Sequence, residues 1–215
     1  MMSGPQTRSA LETRMREHSV TVTSTVPAIA GQKVKLYLRE RALPNVLQRG
    51  AGDKVVLFVH GAGTPAEVAF DPSAPGYSWM AYLAAAGFDV FSMDTTGYGR
   101  STRPAPMNDP CNLSPEQQKL FVPALMAAPC APSYPSQLTT IASDWNDIDG
   151  VVDYIRALRK VDQVSLVAWS LGGPRAGDIV VRNSHANVGS RTKTETGQVN
   201  FGRSLDSIVQ DFQHG

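Results

Sequence analysis

The chain has 215 residues, 42% of them hydrophobic, with 20 basic and 19 acidic side chains for a net charge of +1. This near-balance supplies no field that would steer the protein to nucleic acid or an anionic membrane, and no apolar run approaches the roughly 20 residues that cross a bilayer. The length suits one globular domain with a substantial core, and the opening MMSGPQTRSALETRMREHSV lacks the apolar centre of a secretory signal, so a soluble cytoplasmic protein is expected.

Residues 1–17 are polar and aperiodic and read as a flexible N-terminal arm. From Ser19 the segments SVTVTST and KVKLYLRE alternate apolar with polar, as half-buried strands do, and VPAIAGQ between them carries the proline and glycine of a turn. An antiparallel pair follows. VVLFV (55–59) and FDVFSM (88–93) are instead continuously apolar, the pattern of strands covered by helices on both faces of a sheet. A helix over 77–86 ending at Gly87 separates them, which gives the alternation of a parallel α/β sheet.

Residues 104–137 break that rhythm with eight of the fifteen prolines and both cysteines. A long irregular stretch of this kind reads as a lid-like insertion over a pocket. A Cys111–Cys130 bond would close a loop worth about 3 kcal/mol in an oxidising compartment; two reduced thiols are the plainer expectation. A helix over 138–158 follows, with Ile141, Trp145, Ile148, Val152 and Ile155 on one face, and then VDQVSLVA as a third buried strand.

That strand runs into Ala168-Trp169-Ser170-Leu171-Gly172, a variant of the G-x-S-x-G elbow in which a sharp strand-to-helix turn lifts the serine clear of both elements. The small residues at 168 and 172 let the chain bend that tightly, and the helix that follows presents its free N–H groups beneath Ser170. His60-Gly61-Ala62-Gly63 follows the first of the buried strands and Asp94-Thr95-Thr96-Gly97-Tyr98-Gly99-Arg100-Ser101 the second. Each motif thus falls at the carboxyl end of a strand, where open α/β sheets place their sites.

In these three motifs and their order, residues 20–177 resemble the α/β-hydrolase family. The resemblance implies an α/β fold with a mostly parallel sheet and flanking helices over 18–177, and Ser170 as nucleophile. It implies an oxyanion hole made by the backbone N–H groups of Ala62 and Leu171, with His60, Gly61 and Gly172 shaping the loops around it. His60 is then a loop-orienting residue, and Asp94 forms the turn in place of serving as the catalytic acid. Trp169 and Tyr98 are open to either a pocket or a core position. Serine at the elbow sets the chain apart from the haloalkane dehalogenase and epoxide hydrolase branches, which use aspartate there. The implied chemistry needs no metal or organic cofactor and acts on a small acyl substrate: an ester, a thioester or a lactone.

The base and acid that such a serine requires would follow it in the chain, but 178–215 is an atypical polar tail with no buried-strand run. The candidates there are His185 and His214 as base and Asp178, Glu195, Asp206 and Asp211 as acid, none in a family context. The expectation is a hydrolase whose C-terminal strands are missing through truncation or a changed reading frame; a naturally shortened form completed by a partner chain is the other reading. A catalytically inactive ligand- or partner-binding protein remains the competing class. Nucleotide binding is disfavoured, since no G-x-G-x-x-G follows the first parallel strand.

Overall fold

In the computed structural model, residues 12–50, 52 and 54–177 are described. Strands β1 (Arg14–Thr23), β2 (Lys33–Ala42), β3 (Val55–Val59), β4 (Asp89–Met93) and β5 (Ser165–Ala168) form one sheet in the order β1-β2-β4-β3-β5. β1 and β2 pair antiparallel, as do β2 and β4, whereas β3 lies parallel to both β4 and β5. This is the mixed, largely parallel sheet of an α/β fold.

Period-2 alternation explains why β3 is apolar at every position. Val55, Leu57 and Val59 face one core with Phe91 and Met93, against Ile148, Val151 and Ile155 of α5 (Ile141–Arg159). Val56 and Phe58 face a second core with Val90, Ala66 and Phe70 of α2 (Ala66–Phe70), and Met80, Leu83 and Ala84 of α3 (Trp79–Ala85). Helix boundaries follow from capping: the Ser78 hydroxyl accepts from Ala81 N–H, and Thr140 and Ser143 form a reciprocal capping box at the start of α5.

Three expectations need correction. β1 begins at Arg14, inside the segment read as an arm, because β2 extends to Ala42 and gives Arg14–Thr23 a partner at every position. β5 is half-buried along its length, since β3 is its one neighbour among the described strands. The cysteines are bonded, with Cα atoms 5.2 Å apart. Around that bond the 104–137 segment is built on the buried Gln118, from the short helix α4 (Pro115–Lys119). Its amide donates to the carbonyls of Cys111, Leu113 and Cys130 and accepts from Cys130 N–H at 2.9 Å. The remaining residues, including Asp178, His185, Glu195, Asp206, Asp211 and His214, lie outside the described set.

Candidate active site

The three sequence motifs leave the sheet side by side. Val59 pairs with both Met93 and Ala168, so the chain exits β3, β4 and β5 at the same level. Trp169 N–H still bonds the Val59 carbonyl at 3.1 Å; then the backbone turns and Gly172 N–H bonds Trp169 O at 2.8 Å, opening a helix over 172–177. Ser170 at the apex has φ 53°, the left-handed region that a residue with a β-carbon adopts only at a cost of about 1–3 kcal/mol, and its side chain is exposed.

Two glycines make room for this turn. A β-carbon on Gly61 would lie 2.9 Å from Ser170 Cβ and 2.9 Å from the Trp169 carbonyl oxygen, so the loop after β3 rests directly against the serine. A β-carbon on Gly172 would meet the Val59 carbonyl oxygen at 2.4 Å. Both positions demand glycine for close approach of backbone to backbone.

His60 is fully buried. Its Nδ1 bonds the Gly61 carbonyl at 2.8 Å, and Nε2 accepts from Thr95 N–H at 3.3 Å, which fixes the neutral tautomer with the proton on Nδ1. Burial lowers its pKa, and the nearby Arg175 charge acts in the same direction. The ring packs on Tyr98, 4.5 Å between centroids. Both ring nitrogens are thus engaged in holding loops.

Asp94 is committed to its turn as well. Oδ1 accepts from Ala66 N–H at 2.7 Å and Oδ2 from Arg100 N–H at 3.0 Å, while the Ser101 hydroxyl donates to the Asp94 carbonyl at 2.6 Å. Gly99, with φ 45°, sits where a β-carbon would fall 1.9 Å from Asp94 Oδ2. The spacing Asp-x-x-Gly-x-Gly-x-Ser is therefore the bonding pattern of one turn.

Sequence reasoning missed the polar layer beneath these loops. Arg175, on the 172–177 helix and 2% exposed, donates from Nη1 to the carbonyls of His60 (3.0 Å) and Gly61 (2.9 Å), and from Nε to Asp144 Oδ2 (2.8 Å). Asp147, one turn along α5, accepts from Thr96 N–H at 2.7 Å, and burial raises its pKa to about 6. The available signal was the i, i+3 placement of Asp144 and Asp147 beside Ile148 on the inward face of α5, which apolar periodicity alone passes over.

Trp169 is 54% exposed and meets Trp79 edge-on at 6.2 Å between ring centroids. His18, the other histidine among the described residues, bonds Glu40 at 2.7 Å and Tyr154 at 3.0 Å. No group of three His, Cys, Asp or Glu side chains among the described residues is placed to hold a metal ion, and no described helix is long and apolar enough to cross a membrane.

A family model described as the alpha/beta hydrolase family matches residues 56–192, more than half the chain and all three motifs. The chain belongs to the alpha/beta hydrolase family. Solved structures that resemble it include a cold-adapted esterase from an Arctic intertidal metagenomic library (16% identity, TM-score 0.46, covering 86% of this chain and 62% of that one). A homoserine O-acetyltransferase from Staphylococcus aureus (15%, 0.45, 79% and 43%) and an epoxide hydrolase from Vigna radiata (19%, 0.41, 77% and 34%) are others. The chain thus spans less than two thirds of the length of each. No curated protein matches it.

Proposed function

We propose that this family member is a serine hydrolase acting on a carboxylic ester, thioester or lactone. Ser170 Oγ attacks the carbonyl carbon while a base takes its proton and returns it to the departing alcohol or thiol oxygen or sulfur; water, deprotonated by the same base, then cleaves the acyl-serine to the carboxylic acid, and the proton goes back to the serine oxygen. The Ala62 and Leu171 N–H groups receive the oxyanion in both steps. The observation that carries this reading is the positive φ of Ser170 at an exposed apex resting on Gly61, since backbone strain of this kind persists where the surrounding structure enforces it. Substrate selection is assigned to the 104–137 segment and the exposed Trp169.

The competing reading, a non-catalytic ligand- or partner-binding protein, draws on a different observation: His60 and His18 are both engaged away from the serine, so neither serves as its base. Exposure to an alkyl fluorophosphonate separates the two. Serine attack on phosphorus with loss of fluoride adds one phosphonyl group to the intact mass, and this adduct is expected on Ser170 and absent in Ser170→Ala. A folded wild-type chain that remains unlabelled supports the binding reading instead. The cytoplasmic location expected earlier rests on sequence alone, and the Cys111–Cys130 bond favours an oxidising compartment.

A further inference from the structure

The loop between Gly61 and Ala62 serves an oxyanion only if one peptide plane is held in the right sense. In a trans peptide the carbonyl and the following N–H point in opposite directions, so whatever grips the Gly61 oxygen also aims the Ala62 N–H. Two donors grip it: His60 Nδ1 at 2.8 Å and Arg175 Nη1 at 2.9 Å. The same Nη1 holds the His60 carbonyl at 3.0 Å, and the far side of the guanidinium is locked by Asp144 Oδ2 at 2.8 Å from Nε. The Tyr98 ring lies 5.1 Å from the guanidinium carbon. Arg175 and Asp144 are both almost wholly buried, so each charge compensates the other.

We propose that Arg175 is a positioning residue for the chemistry at Ser170: by anchoring the His60 and Gly61 carbonyls it turns the Ala62 N–H toward the serine side of the loop. This rests on the serine hydrolase reading. The geometry needs a planar fork, because one side chain must reach two carbonyls and a carboxylate at once, and a lysine ammonium offers a single nitrogen for the task. Arg175 also lies five residues beyond Ser170, so the helix that carries it starts from the same turn as the nucleophile.

The test measures the kinetics of labelling by an alkyl fluorophosphonate, separating the maximal rate from the half-saturating concentration, in the full chain and in Arg175→Gln, Arg175→Lys and Val151→Ala. Val151 lies in the core of α5 among apolar side chains, and its truncation controls for general loss of stability. The maximal rate per folded molecule is expected to fall about 10- to 100-fold in Arg175→Gln with half-saturation unchanged, to recover in part in Arg175→Lys, and to stay at the wild-type value in Val151→Ala. If Arg175→Gln does not fold, Arg175→Lys decides. A folded Arg175 variant labelling at the wild-type rate, or a change confined to half-saturation, overturns the inference while leaving the hydrolase reading intact. Absence of labelling in the wild type overturns the hydrolase reading itself.

Discussion

Gly61 and Ser170 touch across the sheet end: a β-carbon on the glycine would stand 2.9 Å from that of the serine. The loop after β3 and the turn after β5 are therefore one packed unit. Gly61→Ala must push them apart, and the rate of fluorophosphonate labelling at Ser170 is expected to fall at least about tenfold in a chain that still unfolds cooperatively. An unchanged rate would show that the loop plays no part in the serine's reactivity.

Ser170 pays for its position in backbone strain. With φ at 53°, glycine fits better than either serine or alanine. Ser170→Gly is expected to exceed Ser170→Ala in stability by about 1 kcal/mol in urea unfolding, although neither can be labelled. Equal stability of the two variants would mean that the turn is relaxed.

Asp94 accepts from two backbone N–H groups, at 2.7 and 3.0 Å, one in its own turn and one at the start of α2. Asp94→Ala leaves both without their acceptor and should cost about 2–4 kcal/mol. Asp94→Asn retains one acceptor oxygen and should still label at Ser170. A loss near 10⁴-fold in folded Asp94→Asn would identify a catalytic carboxylate and contradict the turn-forming role.

Asp147 gives the protein a pH dependence of defined sign. Burial raises its pKa from the ordinary 3.8 to about 6, so between those values the unfolded chain releases a proton that the folded chain keeps. Stability falls as pH rises through that window, by on the order of 3 kcal/mol, and is then level above it. Asp147→Asn, whose carbonyl can still accept from Thr96 N–H, removes this component. Urea unfolding at pH 4 and pH 7 should show the variant gaining on the wild type at pH 7. Comparison with the variant isolates this contribution from that of Asp89, whose pKa is also raised to about 6, mainly by burial. His60 acts oppositely: its lowered pKa removes stability as pH drops below the ordinary 6.5. No relative gain by Asp147→Asn at pH 7 would contradict the assignment.

The readable parts of the chain were those whose cause is local. β3 and β4 declare themselves by apolar runs because both faces of the sheet are covered, and the Asp94–Ser101 turn by a spacing that its own hydrogen bonds impose. The strained serine was legible because small residues at 168 and 172 permit it. Long-range causes left no local mark: the carbonyls that Arg175 holds lie 115 and 114 positions away in sequence. The start of β1 was misjudged for a related reason, since Arg14 becomes strand through pairing with Ala42 and not through its own pattern. The cysteine pairing likewise goes with a contact at a distance in sequence, the Gln118 side chain bridging the Cys111 and Cys130 segments.

In the proposed mechanism Ser170 forms a tetrahedral adduct whose oxygen is received by two backbone amides. A crystal structure of the fluorophosphonate-treated protein tests it directly. A covalent bond from Ser170 Oγ to phosphorus is expected, with a phosphonyl oxygen within about 3 Å of both Ala62 N and Leu171 N. An adduct whose oxygen points to solvent, or a phosphonyl group carried by any other residue, would contradict it.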